Sequence, residues 1–363
     1  MNISLTLDYE IYFGAASGSA EHTLLSPTEA LMTLAGRHGV PLVLFVDALW
    51  LRRLRELARQ HRALMAEHLR VCRQLEQAVK AGHELQLHLH PHWIDSLWTG
   101  ERWQMDLQRY RLHAFADAEI AEMARLGAEA LRAFGGSASV NAFRAGGWCL
   151  QPFERLRQPL LDAGIRIDST VYDGGAQGGG AHDYDFRGAP RASRWRFDSD
   201  PLVPVDDGPL LELPIASHTA GPALFWRMAM ARTLKLPRHR PLGQGEAVGP
   251  SRGDLIRKLF GRTHSVVSCD GLKASLLEPA WREARARGQQ DFVVIGHPKA
   301  TTRWSIEQLA RFLHRHADER FVGLDSYLPL LAPARMRPAW YSANASSERQ
   351  ESPRSSSSRP VSR

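Results

Sequence analysis

The segment HELQLHLHPHW, His83 to Trp93, carries four histidines, and three of them, His88, His90 and His92, stand two apart. Neutral imidazoles are transition-metal ligands, and a carboxylate beside two of them makes a catalytic donor set that leaves a position open. Carboxylates are available in the opening segment NISLTLDYE, which ends in Asp8 and Glu10. Asp8, Glu10, His88, His90 and His92 are therefore candidates for one site. The ion would be a divalent metal, zinc first, with cobalt, nickel or manganese as alternatives. Such an ion lowers the pKa of a bound water and polarises a carbonyl. A second carboxylate can then take the water's proton. A lone histidine is as well explained by a surface or loop position; a cluster paired with two acids favours the metal.

The two segments are far apart in sequence, so strands must bring them together. Residues 3–8 alternate apolar and polar, as do 83–90, where Leu85, Leu87 and Leu89 share one face and Gln86, His88 and His90 the other. Further strands are expected at 40–46, 140–144, 165–168, 210–214, 265–268 and 292–296. Helices are expected from Ser26-Pro27 to Gly39, and over 49–81, 116–134 and 152–163. This alternation predicts parallel βα units. In a closed α/β barrel the polar faces would line the mouth, at the C-terminal strand ends where active sites lie.

The chain has 363 residues, 44% of them hydrophobic, enough for a large α/β domain. No apolar run approaches the ~20 residues of a membrane span. The opening residues suit a strand rather than a signal peptide, so a cytoplasmic location is expected. The scattered cysteines Cys72, Cys149 and Cys269 form no metal-binding pair. The net charge of +7, part of it in tails and loops, accompanies no nucleic-acid-binding motif, so no nucleic-acid partner is expected. Residues 218–263 look like an insertion on the barrel rim, and the Ser-, Arg- and Pro-rich residues 334–363 are expected to be a disordered basic tail. Within the insertion, ALFWRMAMARTLKL mixes Phe225, Trp226, Met228 and Met230 with Arg227, Arg232 and Lys235. It suits an interfacial helix making peripheral contact with the inner face of a membrane through 222–236. A lid helix packed on the barrel is the favoured alternative.

Taken in order, LTLDYE, GHELQLHLHPHW (from Gly82), NAFRAGGW (141–148), RIDSTVY (166–172) and FVVIGHP (292–298) resemble the motifs of the polysaccharide deacetylase family, the NodB-homology or carbohydrate esterase 4 group. The family pattern G-H-E-[IL]-x-x-H-x-x-x-H implies His88 and His92 as metal ligands and leaves His90 unconstrained between them. In the family's first motif two adjacent acids follow a strand, the first a general base and the second a metal ligand. Asp8 matches the base. Tyr9 stands where the second acid is expected, which implies Glu10 as substitute ligand. The resemblance further implies Arg144 as the residue orienting the base, Asp168 as another catalytic carboxylate, and His297 as general acid.

What the resemblance implies for the whole is a distorted (β/α) barrel of about seven parallel strands over residues 1–333, with the rim insertion. The implied activity is metal-dependent removal of N-acetyl groups from a sugar or polysaccharide in cell-surface carbohydrate metabolism, and if the insertion contacts a membrane the substrates would include lipid-linked sugars. A barrel of this kind could also act on another amide or an O-acetyl ester. Tyr9 in the second acid position keeps open a carbohydrate-binding protein that has lost catalysis.

Overall fold

The computed structural model describes residues 1–332 except 15, 136–139, 180 and 247–251. The main strands are β1 (Asn2–Tyr9), β2 (Leu42–Asp47), β3 (Glu84–Leu89), β4 (Ala142–Ala145), β5 (Ile167–Asp168), β6 (Trp195–Phe197), β7 (Leu210–Glu212), β8 (Ser217–Ala220), β9 (Thr263–Val266), β10 (Asp291–Val294) and β11 (Arg320–Phe321). The order β7-β5-β4-β3-β2-β1-β10 is parallel throughout. β6 lies antiparallel on β7, and β11 runs parallel to the start of β1. Just past β7 the chain crosses to the other edge. Ile215 forms a parallel bridge with Val293 of β10, and Ala216 N donates to Val293 O at 2.8 Å. The seven strands thus curl into the distorted (β/α) barrel expected from the motifs.

Two apolar layers explain the curl. Ile3, Leu5, Leu7, Leu44, Val46, Leu85, Leu87 and Leu89 face outward into one core under the helices. Val43, Phe45, Ala142, Ile167, Leu211, Leu213 and Val293 fill the barrel interior with Leu324, Tyr327 and Leu330 of a C-terminal 3-10 segment. That segment plugs the N-terminal end of the strands, where Glu84 accepts from the backbone N–H groups of Leu324 and Asp325. Closing one end leaves the C-terminal ends as the open mouth.

The helices are α1 (Ser26–His38), α2 (Ala48–Ala58), α3 (Arg62–Lys80), α4 (Asp117–Arg132), α5 (Glu154–Asp162), α6 (Pro222–Thr233), α7 (Arg252–Phe260), α8 (Leu277–Ala286) and α9 (Arg303–Arg315). α1 ends on Gly39 in the left-handed region, φ 65°, as its sequence predicts. The single long helix expected over 49–81 is two. The break at Arg59-Gln60-His61 lets α3 fold back on α2, so that Leu51 and Leu54 share a core with Leu64, Val71 and Leu75. The antiparallel pair β8–β9 brackets α6 and α7. No helix among the described residues is long and apolar enough to cross a membrane. The tail expected over 334–363 lies outside the described residues.

Candidate active site

Inward parity on β1 continues past the strand, so Asp8 and Glu10 both reach the mouth, and both are buried. The same parity on β3 carries His88 and His90 to the mouth from two strands away. The Nε2 atoms of the two imidazoles converge on one oxygen: His90 lies 2.7 Å and His88 3.1 Å from Glu10 Oε2. These three residues offer ligand atoms within 4.8 Å of one another, the only such group of His, Cys, Asp and Glu among the described residues.

His92 is not in that group, contrary to what the family pattern implies. Strand geometry holds only to Leu89, and Pro91 opens a 3-10 turn over Pro91–Ile94. The turn rotates His92 onto Tyr110, where the rings stack at 5.5 Å and 13°. Neither ring nitrogen of His92 has a hydrogen-bond partner. In this geometry strand alternation groups His90, rather than His92, with His88 and Glu10.

The donor set suits a metal. His88 Nδ1 lies 2.8 Å from the carbonyl of Arg144, which can only accept, so Nδ1 carries the proton and Nε2 is left for Glu10 or for an ion. Gly146 makes room for the second imidazole, since a Cβ there would sit 2.5 Å from Leu89 O and 2.7 Å from His90 Nδ1. Burial alone would raise the Glu10 carboxyl, but Lys299, His90 and His88 hold it well below the ordinary carboxylate range. Burial would lower His88, yet Asp8 and Glu10 raise it to about 9, whereas burial dominates at His90 and takes it to about 4. At neutral pH these values leave His90 neutral and His88 protonated.

Asp8 sits beside this group. Its Oδ1 accepts from Arg144 Nη1 at 2.7 Å, and its Oδ2 lies 3.6 Å from His297 Nε2. Arg144 is itself fully buried. Its Nε and Nη2 donate to the carbonyl and hydroxyl of Ser169, at 2.7 and 3.1 Å, and its guanidinium lies over the Phe45 ring at 4.1 Å. His297 follows β10 at the mouth, with Nε2 3.8 Å from Glu10 Oε1.

Asp168 does not reach the mouth. Its neighbours Ile167 and Ser169 occupy the inward parity of β5, so Asp168 faces the other way, accepting from Thr170 N and Oγ1 at 3.0 and 2.9 Å. It pairs across the strands with Glu212. Burial raises both carboxyls, and Asp168 pushes Glu212 well above its ordinary value. A buried carboxyl pair under Ser169 supports the bed of Arg144 without touching the cavity.

Two site residues were missed in the sequence. Asp270 Oδ2 lies 2.7 Å from His297 Nδ1, and its Oδ1 accepts from His297 N. Burial alone would lower His297, but Asp270 raises it. The signal was an acid ending the apolar run SVVSCD, the rule already applied to Asp8. Lys299 Nζ donates to Glu10 Oε1 at 2.7 Å and to Ile11 O at 3.0 Å, over the Phe13 ring. No local pattern marks that lysine. Around these groups lies a cavity of about 280 Å³, walled by Tyr12, Phe13, Tyr110, Trp148, His182 and Lys299.

The fold and site define a parallel (β/α) barrel with a buried carboxylate–histidine cluster at its mouth. No family model matches the chain, and no curated protein matches it. Among solved structures the chain is similar to a Mycobacterium smegmatis protein described as a polysaccharide deacetylase, with 16% identity, 90% of this chain and 87% of that one covered, and a TM-score of 0.49. It is similar to a Pseudomonas aeruginosa PAO1 protein of the same description, with 14% identity, 91% and 90% covered, and a TM-score of 0.49. It is also similar to Puue allantoinase, with 13% identity, 91% and 89% covered, and a TM-score of 0.46.

Proposed function

We propose that the protein is a metal-dependent hydrolase that removes the N-acetyl group from a sugar. The observation that carries this reading is the position of Asp8, held by Arg144 on one oxygen and facing His297 with the other, beside Glu10, His88 and His90. A divalent ion held by Glu10, His88 and His90 would supply a Lewis acid for the acetyl carbonyl and a more acidic water. Asp8 Oδ2 accepts the water's proton as its oxygen attacks the carbonyl carbon. Arg144 holds Asp8 in position by its hydrogen bond to Oδ1. His297, oriented by Asp270, gives the proton on Nε2 to the departing nitrogen, so that acetate and a free amine leave. The cavity of about 280 Å³ suits a single sugar unit, and its aromatic walls suit a sugar's apolar face.

Acetate release from a panel of N-acetylated sugars, O-acetyl esters and other small amides tests the reading, with chelator and with zinc or cobalt restored. Activity that survives chelation would count against the metal, and acetate from esters alone would shift the reaction class. One observation favours a second reading, a carbohydrate-binding protein without catalysis. Lys299 already sets a positive charge against Glu10, so a metal-free site is internally neutralised. Purified protein without bound metal, and without activity after zinc is added, would select it.

A further inference from the structure

We propose that the helical pair α6 and α7 is a docking surface for an anionic lipid bilayer. Packing on the barrel accounts for only one face of α6. Leu224, Phe225 and Ala231 are buried there against Leu272 and Leu276. The opposite face is also apolar and stays exposed among the described residues. Trp226, Met230 and Leu234 stand four apart and are 47%, 56% and 62% exposed. On α7, Ile256 and Phe260 are 60% and 73% exposed. The two helices form one platform: Trp226 Nε1 donates to Leu259 O at 2.9 Å, and its ring meets Phe260 edge-on at 6.1 Å.

Charge identifies the occupant. Residues 218–263 hold nine Lys and Arg against two Asp and Glu, a net +7 that equals the charge of the entire chain. Arg227 and Lys235 each follow a member of the apolar stripe, and with Arg232 they are exposed and form no ion pair with the described residues. A stripe that enters the acyl boundary, flanked by cations at headgroup depth, is the pattern of a helix lying in an anionic interface. A second copy of the chain would bring the same +7 against itself. Residues 334–363 carry six Arg against two Glu, so they repel the surface as well. The arm leaving α6 also runs beside the site, where Leu242 N donates to Thr301 O at 2.8 Å, close to Lys299. Docking would hold the barrel at the surface that carries lipid-borne sugars, although the proposal does not depend on the reaction.

Co-sedimentation of the full chain with phosphatidylcholine vesicles, with and without phosphatidylglycerol, tests this. Binding should rise at least about tenfold with the anionic lipid and fall as salt is added. Trp226→Ser with Phe260→Ser should remove it, and Arg227→Glu with Lys235→Glu should remove the preference for anionic lipid. Circular dichroism should be unchanged in both, since all four side chains are exposed. Absence of vesicle binding would overturn the proposal. So would binding that neither variant alters, or self-association through this face without lipid binding.

Discussion

Lys299 and Glu10 form a buried ion pair inside the candidate metal site: Nζ lies 2.7 Å from Oε1, while the imidazoles of His88 and His90 face Oε2. The ammonium occupies one oxygen and leaves the other for an ion. Its charge must also oppose that ion at short range, where protein interiors screen poorly. Lys299→Met should therefore tighten zinc binding by about tenfold or more, measured by competition with a chromophoric chelator. Weaker binding in the variant would mean that Lys299 acts mainly by orienting Glu10.

The histidines separate by their places in the structure. His88→Ala and His90→Ala should each abolish stoichiometric metal, read by elemental analysis after dialysis. His92→Ala should retain it, because His92 stacks on Tyr110 outside the ligand group. Its cost should be stability, about 1–3 kcal/mol for a buried side chain, read by urea unfolding.

Metal binding should release a proton near pH 7.5. Asp8 and Glu10 outweigh burial and hold His88 at about 9, so it is protonated there, while a ligand imidazole must be neutral. His90, at about 4, has no proton to lose. Calorimetry in buffers of different ionisation enthalpy should find about one proton released per ion. Zero protons would show that His88 is neutral before the ion arrives.

The His297–Asp270 pair should set the alkaline limb of activity. Burial alone would lower His297, but Asp270 raises it, so the general acid stays protonated to higher pH. Asp270→Asn should move that limb to lower pH, with NMR titration of the His297 ring shifting in step. The linked stability has a definite sign. A raised folded-state value contributes stability that is fully present below the ordinary histidine pKa of about 6.5 and is lost as pH rises through the folded value. The variant's unfolding free energy should be less dependent on pH across that window.

Arg144→Met should be among the most destabilising single changes. It removes the hydrogen-bonded partner of the buried Asp8, leaving only His297 at 3.6 Å, and leaves the acceptors of Ser169 empty. Removing one partner of a buried pair costs about 3–5 kcal/mol, measurable by urea unfolding. Arg144→Lys should recover little, because an ammonium cannot supply the same divergent donors.

Alternation and spacing were enough to expect parallel βα units and to gather Asp8, Glu10, His88, His90 and His92 as candidates at one end of a barrel, whereas Arg144 and His297 entered only through the family resemblance. Period-two patterning states which residues share a face, and a parallel barrel sends inward residues at the strand ends to one mouth. The same rule names His90, and the structure follows it past the strand end as far as Pro91. What sequence could not supply depends on relations across the fold. The outward parity of Asp168 follows from where β5 sits in register with β4 and β7. The contacts of Asp270 with His297, and of Lys299 with Glu10, exist only because the closing barrel brings β1, β10 and the segment after β9 to the same rim. Local patterns fix the face on which a side chain lies. Only closure of the sheet decides which buried charges become neighbours, and through that proximity it sets their protonation and the ion that they can hold.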